Sequence, residues 1–530
     1  MSRRSSRRRG RRRHGGRDQQ RAIDTPTKVR TIAGFPPPPA PQVSAPVDRR
    51  PVAVDDWRMD IPLGAQPGMR VPGRVYANET LRTLLQGDDS VRQLSNMATL
   101  PGIRGRALAM PDVHQGYGAP VGGVFATDAA TGVVSPGACG YDINCGVRLL
   151  RSDLGKDDLR GRLDQLADEL FRRLPSGLGK GSGLSEGQGK REQALTHGAR
   201  WAVREGLGWQ ADLEYCESGG SLPDANPDDV SRRALDRGLR QIGSLGAGNH
   251  FVEIGVVDAV EDNAAASAFG LPLGQVVIWI HTGSRGFGHQ ICTDYLQTAQ
   301  VAGAAYGIEL PDRQLACMPI QSDAGQSYLS AMACAANFSW ANRQVLAHLI
   351  RESFAAVFDQ AAETMGLHPV YDVAHNIAKF ESHHIPGENG QQQTVLVHRK
   401  GATRAFPAEH SELPAAYRPV GQPVLVPGDM GRYSYVLVGT PQTMTETFGS
   451  LCHGAGRRMS RAAARRAVSG QELVANLRAQ GIIVRSSSVR GVAEEAPNAY
   501  KDASEVVGTA VGAGLAGTVV RTRPVVVVKG

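Results

Sequence analysis

Short runs of β-forming residues that end at a histidine or a glycine-rich turn recur along this 530-residue chain, with helical patterns between them. Residues 276–280, 370–373, 395–397, 424–426, 435–438 and 525–528 are expected strands, because each is a brief apolar, β-branched run bounded by turn residues. Leu159, Leu163, Leu166, Leu170 and Leu174 recur at spacings of three and four, which predicts one helix stopped by Pro175. A second helix is expected over 341–365, with Val345, Leu349, Phe354 and Phe358 among its buried positions. The absence of any repeat with a period of roughly 20–50 residues argues against a solenoid. The expected class is α+β, one large domain with mixed sheets flanked by helices. Chemistry is sought where rigid strands give way to loops.

Charge is distributed unevenly. Residues 1–50 carry 14 Lys/Arg against 3 Asp/Glu, a net charge of +11, whereas residues 51–530 carry 45 against 48, a net charge of −3. The opening MSRRSSRRRGRRRHGG places eight arginines in thirteen residues without apolar periodicity, so it is expected to be disordered. Such a tail can hold phosphates loosely or simply solubilise the chain. Residues 33–47 form a proline-rich linker. Residues 1–51 are therefore read as tail and linker, and 52–530 as the folded body. No apolar run approaches the roughly 20 residues of a membrane-spanning helix. Seven scattered cysteines and the lack of a secretory signal core lead to an expectation of a reducing, cytoplasmic setting.

Four segments offer metal ligands in similar settings: GYDINCG with Asp142 and Cys145, GAGNHFVE with His250, VVIWIHTGSRG with His281, and YDVAHN with His375. No CxxC pair or HExxH motif occurs, so neither a structural zinc site nor a zincin is indicated. One carboxylate, one thiolate and three imidazoles suit Mn²⁺, Zn²⁺, Co²⁺ or Fe²⁺. Five ligands exceed what one tetrahedral ion uses, and two ions sharing the thiolate would fit. A strand-end histidine taken singly is more often a satisfied polar residue than a ligand.

A second constellation is SLCHGAGRRMSRAAARRAV, in which His453 precedes Gly454, Ala455 and Gly456. The alanine-rich continuation predicts a helix starting beside His453, with free N–H groups suited to phosphate. Arg457, Arg461 and Arg465 would then share one helix face. The plain alternative is a solvated basic helix face. An imidazole over a phosphate cradle could also act as a nucleophile, forming a phosphoramidate. Other features have plain readings: Cys139 and Cys452 as buried fillers, His383 and His384 as a solvent-facing loop pair, and His114 as support in a glycine turn, with direct catalysis an equal alternative for it. Gly243, Gly246 and Gly248 lack the following helix of a dinucleotide fingerprint.

Taken in order, MPDVHQGYG (110–118), GYDINCG (140–146), SLGAGNHFVEIG (244–255), HTGSRG (281–286), HRKGATRA (398–405), HGAGRRMSR (453–461), AYKD (499–502) and the terminal VVKG resemble the RtcB family of GTP-dependent RNA-splicing ligases. The resemblance extends from about residue 69 to 530. It implies a ligase joining an RNA 3′-phosphate, or a 2′,3′-cyclic phosphate opened first, to a 5′-hydroxyl, in tRNA splicing or RNA repair. It implies GTP and two Mn²⁺ ions as cofactors, with Asp142, Cys145, His250, His281 and His375 as metal ligands and Cys145 bridging. His453 matches the histidine that becomes guanylylated. Nucleotide contacts carry over to Asn249, Glu253, Asn376, Ser434, Gly454, Ala455, Gly456, Tyr500 and Lys529. Asp112 and Lys400 match supporting active-site residues, and Arg285, Arg457 and Arg461 are candidates for RNA phosphates. An archease-type activator is a further partner the resemblance allows.

Two features depart from the family pattern. PGDMG places Asp429 where Ser or Thr is common; a carboxylate there would repel phosphate but could accept from the donors of guanine, so a base contact is expected. The arginine tail and proline linker have no counterpart in the family core. Two competing readings are a metal-dependent phosphodiesterase or hydrolase acting on RNA ends, which would need neither His453 nor GTP, and a non-catalytic RNA-binding protein retaining the fold.

Overall fold

The computed structural model describes residues 31–36, 39–40, 50–177, 179, 181, 188–385, 388 and 390–530. The arginine-rich opening and most of the proline-rich linker fall outside these residues. Of the part described, Ile32 is buried, and Phe35 packs edge-on against Tyr306 with ring centroids 5.6 Å apart.

Two large sheets, mostly antiparallel, organise the α+β body. The first runs in the order Val52–Ala53, Arg58–Ile61, Gly73–Tyr76, Ile103–His114, Val121–Asp128, Gln393–Lys400, Asn376–His383. The second runs Pro369–Ala374, Gly146–Gly155, Gln275–Thr282, Phe251–Val260, Ala516–Lys529, Ser434–Gly439, Pro423–Val426. Ile483–Ser486 adds to it, parallel to the end of Ala516–Lys529. All six expected strands fall inside these elements.

The centre of the second sheet shows why its sequence reads as uninterrupted apolar runs. In Gln275–Thr282, Val276, Ile278 and Ile280 face one core with Leu346, Ile350 and Phe354. Val277 and Trp279 face the other, with Val147, Leu149 and Tyr371. Side chains alternate with period two, and both faces are covered, so both must be apolar.

The helices differ from the expected boundaries. Helix Leu163–Arg173 buries Leu166 and Leu170 as predicted, but Leu159 ends a separate 3₁₀ turn, Lys156–Leu159. Arg160–Arg162, with Gly161 at φ +74°, interrupt what periodicity alone joined. The helix expected over 341–365 is Asp323–Phe358, capped by Ser322 and ended by Asp359 in the left-handed region. It starts much earlier because residues 331 through 347 are buried on every side, which erases the amphipathic period.

This long helix braces the loops around the candidate ligands. Arg343 and Ser339 donate to the Asn144 carbonyl, at 2.9 and 2.6 Å, and Arg343 also donates to the Thr282 carbonyl at 3.0 Å. Asn342 donates to the carbonyls of Ser244 and Gly283. Asp372 holds Arg343 and Arg148 at 2.8 and 2.7 Å, with no side chain of the three exposed. Buried charges of this kind persist only when paired and fully hydrogen-bonded. The two sheets meet at one residue: His375 alone separates Pro369–Ala374 from Asn376–His383.

Candidate active site

The strand ends of both sheets converge on a cavity of about 330 Å³. The second sheet supplies Cys145 just before Gly146–Gly155, His250 just before Phe251–Val260, and His281 within Gln275–Thr282. Register places Phe251 opposite His281, and His281 opposite Val147. Side chains from distant sequence positions are thereby brought side by side.

The five candidate ligands form two groups that share Cys145: Cys145, His281 and His375, and Asp142, Cys145 and His250. Within each group the ligand atoms lie within 4.8 Å of one another. Cys145 Sγ is 3.4 Å from Nε2 of both His250 and His281, and His281 Nε2 is 3.4 Å from His375 Nε2. Asp142 Oδ2 lies 2.8 Å from His250 Nε2. Gly283 is required here, because a Cβ would come within 2.4 Å of the Asp142 carboxylate.

Burial lowers the pKa of His281 and His375 well below the usual imidazole value, and neighbouring imidazoles lower both further. Burial likewise lowers His250, against the pull of Asp142. Burial, reinforced by Asp142, raises the Cys145 thiol well above its ordinary value. Burial would raise Asp142 too, but the His250 hydrogen bond and charge hold it low. Neutral imidazoles whose lone pairs converge on a thiol and a carboxylate form a donor set that a divalent cation fits.

His453 follows strand Ser450–Cys452 and sits beside this set, its ring centroid 4.6 Å from that of His375. The buried Asp112 is its partner: Oδ2 lies 2.6 Å from Nδ1 and accepts the His453 backbone N–H at 3.1 Å. A proton held on Nδ1 leaves Nε2 as the imidazole lone pair. The expected helix at His453 is not formed. Gly456 has φ +72°, and a Cβ there would meet the Asp112 carbonyl at 2.1 Å, so the segment stays a close-packed loop. The helix is Arg461–Ala467, capped by Ser460, and Arg457 is not on it.

Most of the other expected site residues line the cavity: Asn249, Glu253, Asn376, Asp429, Gly454, Ala455, Gly456, Tyr500, Lys529, Lys400, Arg457 and Arg461. Several already have partners. Asn376 bridges the Asp142 carbonyl and the Gly401 N–H. Asp429 accepts the N–H groups of Gly431 and Arg432 and pairs with the Arg432 guanidinium at 2.6 Å, so its carboxylate is engaged within its own turn. Ser434 accepts the Gly428 N–H behind the cavity wall. Lys400 donates to the carbonyls of Tyr117, Ala119 and Gly137, and burial lowers it to about 8. Arg285, with φ +56°, lies 3.2 Å from His250 Nδ1. Glu253 differs from these: it is buried, its Oε1 has no partner, and burial together with Asp429 raises it well above the usual carboxyl value.

Sequence reasoning missed two residues that organise the site. Glu495, almost wholly buried, binds Arg457 at 3.2 Å, Arg461 at 3.5 Å, Lys529 at 3.6 Å and the Tyr500 hydroxyl. Arg457 is thus tied to Glu495, while Arg461 remains 51% exposed at the cavity edge. Lys501 donates to the carbonyls of Pro111 and Val113, fixing the backbone on both sides of Asp112. Its place in AYKD was the only available signal. The plain readings of Cys139 and Cys452 agree with their burial. His383 is buried against Glu381, contrary to the solvent-facing expectation, whereas His384 is exposed. Among the described residues no helix is long and apolar enough to cross a membrane.

Known proteins resemble this chain over most of its length. A family model described as tRNA-splicing ligase RtcB matches residues 93–530. A protein of that name from Thermococcus kodakarensis is 52% identical over 477 residues, covering 90% of this chain and 98% of the relative. Its namesake from Archaeoglobus fulgidus is 50% identical over 477 residues, with the same coverage. One from Pyrobaculum aerophilum is 49% identical over 478 residues. With matches of this extent and the ordered motifs around one cavity, the chain belongs to the RtcB family.

Proposed function

We propose that the chain is an RNA ligase of the kind its relatives are named for, using His453 as a nucleophile toward GTP and joining RNA 3′-phosphate to 5′-hydroxyl ends. Residues 52–530 act as one catalytic domain in this reading. The observation that carries it is the Asp112–His453 pair set against the shared-thiolate donor set. A hydrolase would need the donor set but not an oriented imidazole beside it.

Asp142, Cys145, His250, His281 and His375 would hold two divalent cations, Mn²⁺ in the family's chemistry. Such ions would neutralise triphosphate charge and favour a deprotonated attacking hydroxyl. Asp112 keeps the proton on Nδ1 and presents Nε2 to the α-phosphorus of GTP. A P–N bond forms, the P–O bond to the β-phosphate breaks, and pyrophosphate leaves. An oxygen of the RNA 3′-phosphate then takes the guanylyl group from His453, giving an activated diphosphate. The 5′-hydroxyl attacks the RNA phosphorus, loses its proton, and expels GMP. A 2′,3′-cyclic phosphate end would first be hydrolysed to the 3′-phosphate.

Guanine selection falls to Glu253 rather than Asp429. A buried carboxyl with an unpartnered oxygen needs donors, and guanine offers two adjacent ones at N1 and N2, whereas adenine N1 is an acceptor. Lys529, Tyr500 and the 454–456 loop line the same cavity and would contact the rest of the nucleotide.

The test is incubation with α-labelled GTP and Mn²⁺ beside the His453→Ala variant, followed by denaturing electrophoresis and acid treatment. An acid-labile, base-stable protein adduct, absent in the variant, is expected. A folded, metal-loaded protein that ligates RNA ends without any such adduct would overturn the histidine intermediate.

A further inference from the structure

One set of side chains lining the cavity lies outside the candidate metal ligands and nucleotide contacts named above. Tyr117 and Tyr141 both line the cavity and both are half-buried, so part of each ring is open to solvent. They meet edge to face, with centroids 5.3 Å apart and planes at 71°. Tyr141 also lies against the exposed ring of His289, centroids 5.7 Å apart. The three rings form a ledge leading from Asp142, the neighbour of Tyr141, onto helix Arg285–Ala305. Charged groups lie near it: the Asp142 carboxylate and the guanidinium groups of Arg237, Arg285 and Arg461 all lie close enough to act on His289 electrostatically. Tyr117 lines a second depression as well, together with Arg313, Asp312 and the Arg92–Asp89 ion pair, so the ledge lies between two openings.

Half-open aromatic faces flanked by guanidinium groups suit single-stranded nucleic acid. Bases stack on the rings whatever their identity, and the cations follow the backbone. A purely structural aromatic cluster would bury its faces, as Trp279 and Trp340 do in this protein. We propose that Tyr117 and Tyr141, with His289 beyond them, form a stacking ledge for the terminal nucleobases of an RNA end awaiting joining. This deepens, and rests on, the RNA-ligase reading. The base could belong to the 3′-phosphate end or to the 5′-hydroxyl end, since both must reach the same cavity.

The test uses the full-length chain with Mn²⁺ and short fluorescent single-stranded oligoribonucleotides, one ending in a 3′-phosphate and one beginning with a 5′-hydroxyl. Each is made with a normal and with an abasic terminal nucleotide, and binding is read by anisotropy. Tyr141→Ala and Tyr117→Ala are expected to weaken binding by about 5- to 100-fold. Tyr141→Phe and Tyr117→Phe, which keep the rings, should stay within about twofold of the parent. On the abasic probe of the stacked end, parent and alanine variants should bind alike, and this identifies the end. Parent-like affinity in both alanine variants overturns the ledge while leaving the ligase reading intact. So does a loss that persists undiminished on both abasic probes. A parent protein that binds neither RNA overturns the ligase reading, and the ledge with it.

Discussion

Replacing Asp112 tests the geometry of the proposed nucleophile most directly. In the structure Oδ2 receives both the His453 backbone N–H at 3.1 Å and the Nδ1 side of the ring at 2.6 Å. A hydrogen bond to a charged acceptor contributes about 1.5–3 kcal/mol, against about 0.5–1.5 for a neutral one. Asp112→Asn keeps an acceptor oxygen but removes the charge that stabilises the ring as Nε2 becomes bonded to phosphorus. The difference, about 1–2 kcal/mol, corresponds to a roughly 5- to 30-fold slower guanylylation. The amide nitrogen would take the place of Oδ1, which has no partner. Asp112→Ala removes both bonds, leaves the imidazole free to rotate or change tautomer, and should slow the step by about 100-fold or more, at about 3 kcal/mol. Single-turnover labelling from α-labelled GTP, normalised to metal content and checked by thermal melting, gives the rates. If Asp112→Ala labels within about twofold of the parent, the orienting role is wrong. If Asn is as slow as Ala, the charge accounts for the whole effect and the positional argument fails.

Three further outcomes follow from the same structure. Metal loading must deprotonate Cys145, whose thiol is raised by burial, while the already neutral imidazoles release nothing near neutrality. Titration calorimetry in buffers of different ionisation enthalpy should therefore show release of about one proton, and affinity should rise about tenfold per pH unit below the thiol pKa; uptake or no exchange would contradict the shared thiolate. Glu217 is fully buried between Lys379 at 3.0 Å and Arg404 at 3.3 Å and accepts the Ala374 N–H, next to His375. Burial opposes its ionisation, but Lys379 and Arg404 hold it at about 2. Its stabilising contribution is thus complete above the unfolded value and is lost as pH falls from about 4.3 toward the folded value. Glu217→Gln should cost about 3–5 kcal/mol in denaturant unfolding and flatten this acid dependence, and an unchanged midpoint would contradict the pairing. The +11 charge of residues 1–50 predicts that deleting them flattens the salt dependence of RNA binding; an unaltered slope would exclude counterion release by the tail.

Chemistry was more legible in this sequence than architecture. Asp142, Cys145, His250, His281, His375 and His453 stand out because their residue types are limited to a few chemical uses and sit at the ends of β-forming runs. Those runs identify themselves as strands because their apolar character comes from burial on both faces. Periodicity failed where that same burial is complete. The all-round core of helix Asp323–Phe358 carries no amphipathic stripe, so its first turns were invisible. It failed again after Cys452, where an alanine-rich segment suggested a helix at His453 that the contact of Gly456 with Asp112 prevents.

What the sequence by itself determined is local: which runs are strands, which side chains can bind a cation or attack phosphorus, and where the excess positive charge lies. Only the tertiary structure decided which of these side chains meet and which are already engaged. Glu495 pairs with Arg457 at 3.2 Å, Arg432 occupies Asp429, and Glu253 is left with an unpartnered buried oxygen. Asp429 and Arg432 are only three positions apart, but Arg457 and Glu495 are 38 apart and His453 and Asp112 are 341 apart. A buried charge takes whichever partner the fold delivers to it, and for a pair as distant as Asp112 and His453 nothing local in the chain encodes that partner.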